Sequence, residues 1–89
     1  MTTVIFYTRD GCHLCEETRE VLQAALEARV LRGEPIATVH EIDIDTDPEL
    51  KSRYGDLIPV LALDGIELPL AMGRRAIDAF LNRLLPRLA

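Results

Sequence analysis

The chain has 89 residues, the size of one small domain, and we expect residues 1–89 to form that single domain. Fifteen acidic against ten basic side chains give a net charge of −5. This balance argues against a general nucleic-acid binder, which would show clustered Lys and Arg. No stretch approaches the roughly 20 apolar residues of a membrane span, and the first residues lack the basic start and long apolar run of a secretory signal. We therefore expect a cytoplasmic protein with no membrane or nucleic-acid partner.

The first half of the chain predicts a strand followed by a helix. Val4 to Tyr7 is a continuous apolar run, typical of a strand buried on both faces, and Asp10-Gly11 marks the turn that ends it. A helical pattern extends from Leu14 to about Leu31 and ends at Gly33. The apolar face of this helix is defined by residues that recur every four positions: Leu22, Leu26 and Val30.

A second strand and a short helix follow. Ile36 to Ile44 reads as a strand whose later part alternates, and its polar face favours an edge position. Asp47 is typical of a helix N-cap, and Pro48 of a first helical position. We expect this helix to end near Tyr54-Gly55.

The last third of the chain predicts a hairpin and a helix. Pro59 to Leu63 is a second strand that is apolar on both faces, and Asp64-Gly65 is a strong hairpin signal. The return strand, Ile66 to Ala71, contains Pro69, which restricts it to a sheet edge. The final helix presents one apolar face and is closed by Pro86; that face comprises Ile77, Phe80, Leu81 and Leu84.

The order of elements is therefore β-α-β-α-β-β-α, an α/β fold. The first two strands are joined by a helix and should be parallel with a right-handed crossover, whereas the last two form an antiparallel hairpin. We expect a four-stranded mixed sheet flanked by three helices. The two runs that are apolar on both faces should be its central strands.

Cys12-His13-Leu14-Cys15 lies where the first strand leads into the first helix. Unpaired N–H groups at a helix N-terminus stabilise a thiolate, and two thiols three residues apart on a first turn can form a disulfide. Cys12 should be exposed at the turn and Cys15 shielded one turn inside. We therefore predict that Cys12 is the attacking nucleophile and Cys15 the resolving thiol.

Two other interpretations of the cysteine pair remain open. The pair could be half of a zinc site, but zinc requires about four ligands, and the other candidates are only His13 and His40. The cysteines could also be inert core residues. The position of the motif between a strand and a helix favours redox chemistry, so we predict no bound metal.

Three segments of the chain resemble the small bacterial glutaredoxin-like proteins of the thioredoxin superfamily. The segment from Tyr7 to Cys15 is similar to their active-site segment. The segment from Glu41 to Asp45, followed by Asp47-Pro48-Glu49-Leu50 and Tyr54-Gly55, resembles their second strand and helix. Ile58-Pro59-Val60 resembles the cis-proline segment of the superfamily. The resemblance covers nearly the whole chain.

The resemblance implies that Pro59 is cis and lies against the disulfide. It also implies a substrate site around the cysteines, to which we assign Arg9, His13, Leu14, Ile58, Pro59, Gly73 and Arg74. A protonated His13 would stabilise the Cys12 thiolate, and Arg9 or Arg74 would hold a substrate carboxylate, with Arg75 as a neighbouring candidate. Tyr7 faces either the site or the core.

The chain also departs from the family pattern. His13-Leu14 replaces the usual pair between the cysteines, and the first strand offers no buried acid beneath the active site. Where glutaredoxins have a Gly-Gly segment and an acidic cap to hold glutathione, this chain has Gly73 followed by two arginines. These departures weaken the expectation of a full glutathione site.

The resemblance implies a thiol–disulfide oxidoreductase without a resident cofactor. Its substrates would be disulfide-containing proteins or glutathione mixed disulfides, its reductant glutathione or thioredoxin reductase, and its state a monomer. The alternative is a metal-binding module, in which the Cys12 thiolates of two chains bridge an iron–sulfur cluster.

Overall fold

The computed structural model describes residues 2–85. Its seven main elements follow the predicted order: β1 (Thr3–Thr8), α1 (His13–Leu31), β2 (Thr38–Asp43), α2 (Pro48–Tyr54), β3 (Val60–Leu63), β4 (Ile66–Leu68) and α3 (Arg74–Leu84). A short 3₁₀ turn, Ile44–Thr46, separates β2 from α2. The α/β fold predicted from the sequence is thereby confirmed.

The four strands form one mixed sheet in the order β2-β1-β3-β4. β1 is parallel to β2 and antiparallel to β3, and β4 is antiparallel to β3. The two strands predicted to be central are the central pair, and β2 is at an edge as expected. β1 and β2 are parallel, and β3 runs in the opposite direction. The C-terminal ends of β1 and β2 and the N-terminal end of β3 therefore lie at the same end of the sheet.

The sheet is covered on both faces by apolar side chains of the helices. The larger cluster contains Val4 and Phe6 of β1 with Leu22 of α1 and Ile77 and Leu81 of α3, all 2% exposed or less. The smaller cluster joins the other face to α2, and it contains Ile44, Tyr54 and Val60, with Tyr7 packed against it. The alternation of β1 between the two faces explains why its sequence is apolar at every position from Val4 to Tyr7.

The β3–β4 hairpin turns at Asp64 and Gly65, as its dipeptide predicts. Both residues have positive φ, 51° at Asp64 and 79° at Gly65. This is the backbone of a type I′ turn, which matches the right-handed twist of the flanking strands.

The extents of two strands differ from the prediction. β2 begins at Thr38 rather than at Ile36 and ends before Ile44, which lies in the 3₁₀ turn. β4 ends at Leu68, one residue before Pro69, because proline has no N–H to donate and Leu70 then adopts a φ of 48°.

The apolar face of α1 is shorter than its sequence pattern. Leu22 is buried and Leu26 is half-buried, whereas Val30 is 58% exposed. On α3, Ile77, Phe80 and Leu81 are buried as predicted. Pro86, expected to close this helix, lies outside the described residues. None of the helices within residues 2–85 is long and apolar enough to cross a membrane.

Candidate active site

Cys12 and Cys15 are joined by a disulfide at the N-terminus of α1. Cys12 is the N-cap residue, and its Sγ atom accepts a hydrogen bond of 3.0 Å from the backbone N–H of Cys15. Cys12 is half-buried, while Cys15 is only 1% exposed. The two sulfurs therefore differ in access, and the one nearer the surface already receives an N–H from the helix terminus.

The turn before Cys12 is fixed by backbone geometry. The N–H of Cys12 donates to the carbonyl of Arg9 at 3.3 Å, and Gly11 within this turn has a φ of 75°. A positive φ is readily adopted by glycine and rarely by other residues. The Asp10-Gly11 pair thus ends β1 and delivers Cys12 to the start of α1.

The segment before β3 lies against the same part of the core as the disulfide. The Ile58–Pro59 peptide bond is cis, which confirms the expectation drawn from the resemblance. Cys12 and Ile58 both pack against the buried cluster that contains Cys15 and Ala71. Tyr7 near the end of β1 pairs with Val60 at the start of β3, so the cysteine pair and the cis-proline segment lie at the same end of the sheet.

Most backbone groups around Pro59 already have partners. The Ile58 N–H donates to the Tyr54 carbonyl at 3.1 Å, and the Pro59 carbonyl accepts from Ala71 at 2.7 Å. Pro59 itself has no N–H to offer. The carbonyl of Ile58 accepts none of these bonds and is available to a ligand that pairs with this segment.

Arg9 forms an ion pair within the protein. Its Nε lies 3.1 Å from each carboxylate oxygen of Asp45, and one of its terminal nitrogens lies 3.0 Å from Oδ1. Asp45 follows β2 just as Arg9 follows β1, so the parallel strands bring the two residues together. The guanidinium predicted to serve a substrate therefore already has a bound carboxylate.

The two residues between the cysteines are exposed. The His13 side chain is 82% exposed, and its ring nitrogens lie 3.9 Å from a carboxylate oxygen of Glu16 and 3.5 Å from one of Glu17. Leu14 is 44% exposed beside the disulfide. Any positive charge on His13 would be offset by the two glutamates, while Leu14 gives the rim of the site an apolar contact.

The start of α3 contributes Gly73 and Arg74. Gly73 is the N-cap with a φ of 86°, and no side chain caps this helix end. The Nε of Arg74 lies 3.0 and 3.1 Å from the two carboxylate oxygens of Asp78, one turn further along α3. Arg74 is thus directed along its own helix, while Arg75 is exposed.

Tyr7, which the sequence placed either at the site or in the core, packs in the core. Tyr7 stacks on Tyr54 with ring centroids 4.1 Å apart, which assigns it to the core rather than to the cysteine pair. Burial, and secondly the hydrogen bond to Glu67, raises the pKa of Tyr54 above its usual value. No group of three or more His, Cys, Asp or Glu side chains within residues 2–85 is arranged to hold a metal ion.

Two polar residues near the site were not assigned there from the sequence. Thr18, one turn after Cys15, donates its hydroxyl to the Ala71 carbonyl at 2.6 Å and so connects α1 to the segment before α3. Asp45 is the partner of Arg9. The proximity of Asp45 to Arg9 could have been predicted from the sequence, because residues that follow neighbouring parallel strands lie at the same end of the sheet.

A cysteine pair at a helix N-terminus and a cis-proline at the same end of the sheet, on a β-α-β-α-β-β-α framework, are the features of a thioredoxin-superfamily protein of glutaredoxin type. The sequence model of the glutaredoxin-like domain (DUF836) matches residues 3–85. The chain belongs to this glutaredoxin-like family. No curated protein matches the chain.

Solved structures of bacterial proteins are similar over almost the whole chain. The crystal structure of XcR50 from X. campestris is 32% identical, covers 90% of this chain and 96% of its own, and has a TM-score of 0.73. The solution structure of the same protein is 31% identical, covers 99% and 100%, and has a TM-score of 0.70. Ne2328 from Nitrosomonas europaea is 30% identical over 89% of each chain, with a TM-score of 0.61.

Proposed function

We propose that the protein is a thiol–disulfide oxidoreductase in which Cys12 attacks and Cys15 resolves. The observation that carries this proposal is the disulfide at the start of α1, with Cys12 accessible and Cys15 1% exposed. Membership of the glutaredoxin-like family supports the same chemistry. The difference in access between the two sulfurs supports the assignment of their roles.

The proposed reaction begins from the reduced dithiol. The Cys12 thiolate attacks one sulfur of a substrate disulfide, a new S–S bond forms to Cys12, and the other substrate sulfur leaves as a thiolate and takes up a proton. The Cys15 thiol then loses its proton and attacks the Cys12 sulfur, which releases the second substrate thiol. The substrate gains two electrons and two protons, and the protein ends as the Cys12–Cys15 disulfide.

Protein disulfides are the substrates that the surroundings of Cys12 favour. Three large apolar side chains are exposed on segments next to the cysteine pair or the cis-proline: Leu14 at 44%, Leu57 at 39% and Leu70 at 49%. The Leu70 N–H donates to the Leu57 carbonyl at 2.8 Å, so these two lie side by side. Exposed apolar groups that cluster beside a reactive group are typical of a surface that binds protein.

Glutathione is proposed as a weak co-substrate. The uncapped N-terminus of α3 at Gly73 offers N–H groups to an anion, and Ile58 retains a carbonyl beside the cis-proline. Arg9 and Arg74 each bind a carboxylate of the protein itself. Their guanidinium groups therefore contribute less to the binding of a glutathione carboxylate. We propose that glutathione or thioredoxin reductase reduces the Cys12–Cys15 disulfide after each cycle. We also propose that the protein acts as a monomer in the reducing cytoplasm.

The test of the nucleophile is the alkylation rate of the reduced protein as a function of pH. In Cys15→Ser, Cys12 should react with a pKa below the ordinary thiol value of about 8.5, since the start of α1 stabilises its thiolate. Cys12→Ser, the matched control, should leave Cys15 slow to react because it is buried. Equal reactivity of the two thiols at an ordinary pKa would contradict the proposal.

The reductant is tested on the same variant. Cys15→Ser treated with glutathione disulfide should accumulate a glutathione adduct on Cys12, visible by mass spectrometry, because the resolving thiol has been removed. If no adduct forms while thioredoxin reductase reduces the wild-type disulfide efficiently, the glutathione assignment is wrong and the protein works in the manner of a thioredoxin.

A further inference from the structure

Hydrogen bonds of the local backbone hold both partners of the Arg9–Asp45 ion pair in place. The Asp45 N–H donates to a carboxylate oxygen of Asp43 at 2.9 Å, and the Thr46 hydroxyl donates to the Asp43 carbonyl at 2.6 Å. These bonds fix the 3₁₀ turn that presents Asp45. On the other side, the Arg9 carbonyl accepts from the Cys12 N–H at 3.3 Å. Asp45 is thus held against a cation that is hydrogen-bonded through its backbone to the nucleophile.

Asp45 occupies the guanidinium in the manner of a ligand carboxylate. Arg9 has five N–H donors, and a bidentate carboxylate uses two adjacent ones. Nε and one terminal nitrogen of Arg9 face Asp45 at 3.0–3.1 Å. A carboxylate arriving with a substrate would have to displace Asp45 or use the remaining donors at one end of the group.

The charges around the nucleophile oppose anions as well. Asp10 precedes Cys12 in the turn, and Glu16 and Glu17 lie on the first turns of α1, where both are exposed. With Arg9 paired to Asp45, the charged side chains next to Cys12 in the sequence contribute a negative field at this end of α1. Such a field lowers the encounter rate of anionic substrates and raises that of cationic ones.

We propose that Asp45 is a specificity-determining residue that selects against small disulfides bearing carboxylates, glutathione disulfide among them. The selection favours neutral or basic segments of protein disulfides. This inference rests on the proposed thiol–disulfide activity and specifies its substrate class. Asp45 does not touch the reacting sulfurs; it acts through Arg9.

The experiment compares two disulfides on the Cys15→Ser protein. One is glutathione disulfide, which carries carboxylates, and the other is bis(2-hydroxyethyl) disulfide, which is uncharged. The rate of mixed-disulfide formation on Cys12 is measured for each at low ionic strength. Asp45→Asn should raise the ratio of the glutathione rate to the hydroxyethyl rate by about 2- to 5-fold, the range that an exposed ion pair supports. The increase should shrink in 1 M salt, because exposed charges are then screened.

Two further variants separate charge from structure. Asp64→Asn removes the same charge from the β3–β4 turn at the opposite end of the sheet, and Asn accepts the positive φ of that position. With this control, the ratio of the glutathione rate to the hydroxyethyl rate should equal that of the Cys15→Ser protein. Adding Arg9→Gln to Asp45→Asn should abolish the increase, since the cation freed by the first change is then absent.

The outcomes distinguish this inference from the proposed function. If Cys12 reacts with neither disulfide, the oxidoreductase proposal fails. If it reacts with both and Asp45→Asn leaves their ratio unchanged, or raises both rates equally, the selective role of Asp45 is overturned while the oxidoreductase proposal stands. A rise in the ratio that persists without Arg9 would also overturn it.

Discussion

At the scale of single residues, two buried threonines provide a matched comparison. The Thr18 hydroxyl donates to Ala71, whereas the Thr8 hydroxyl is the one buried side-chain polar atom within residues 2–85 without a hydrogen-bond partner. Thr18→Val should cost about 1–3 kcal/mol of unfolding free energy, because the Ala71 carbonyl loses its donor. Thr8→Val should be neutral or stabilising, since a hydroxyl buried without a partner is itself unfavourable. Urea denaturation of the two variants measures both values, and equal losses would contradict this assignment.

The sequence predicted the reactive pair but not the partners of the charged residues around it. Cys12 and Cys15 follow from local pattern, because a strand, a turn and a helix start are all readable within about ten residues. The pairing of Arg9 with Asp45 depends on the register of two strands that lie far apart in sequence. A side chain that looks free in the sequence, such as Arg74, can likewise bind a carboxylate one helical turn away.

At the scale of elements, an ion pair attaches α1 to the edge strand β2. Two nitrogens of Arg19 lie 2.8 and 2.9 Å from the two carboxylate oxygens of Glu41, and the same guanidinium is 5.8 Å from the centroid of the Phe6 ring. The hydrogen bond from Arg19 lowers the pKa of Glu41 below its usual value, and the bond to Glu41 raises the pKa of Arg19. The pair helps to hold an edge strand that has only one strand neighbour.

The lowered pKa of Glu41 predicts a pH-dependent contribution to stability. The contribution is complete above the unfolded-state pKa of about 4.3 and is lost as the pH falls through the lower folded-state pKa. Both side chains are more than a third exposed, so Glu41→Gln should cost only about 0.2–1 kcal/mol at pH 7. The difference in unfolding free energy between the variant and wild type should shrink as the pH falls below the unfolded-state pKa of Glu41, as measured by urea denaturation.

A second variant isolates the ion pair from the general effect of net charge. Glu20→Gln removes an exposed negative charge from α1 and should change the unfolding free energy at pH 7 by less than Glu41→Gln does. If the two substitutions have the same effect at every pH, the bond to Arg19 contributes nothing specific to Glu41.

The ends of the elements show where sequence patterns are least informative. The hairpin turn at Asp64-Gly65 was predicted to the residue, because its two positive φ angles demand this type of dipeptide. β2 was predicted two residues too long at its start, since Ile36 is apolar but 50% exposed and unpaired in the sheet. Apolar character alone does not reveal where the partner strand β1 begins, and the pairing of Thr3 with Thr38 sets the start of β2.

At the scale of the whole molecule, Arg29 connects three separate parts of the chain. It lies on α1 and is 3% exposed. Its Nε donates to the Pro35 carbonyl at 2.7 Å, before β2, and a terminal nitrogen donates to the side-chain oxygen of Asn82 on α3 at 2.6 Å. From sequence alone this residue reads as a basic side chain near a helix C-terminus. Its burial follows from the packing of α3 beside α1, which no local pattern specifies.

Because Arg29 connects three parts of the chain, we predict that its replacement destabilises the protein far more than replacement of an exposed arginine nearby. Arg29→Met keeps an unbranched apolar stem but leaves the Pro35 carbonyl and the Asn82 amide without their donor, so it should lower the unfolding free energy by about 2–4 kcal/mol. Arg32→Met, which removes an exposed arginine three residues away that pairs with Glu34, should cost no more than about 1 kcal/mol. Equal losses from the two variants in urea denaturation would show that the buried guanidinium is not a major support of the fold. Because Arg29 is near the end of α1 remote from Cys12, the alkylation rate of the reduced Arg29→Met protein should match that of wild type wherever the variant remains folded.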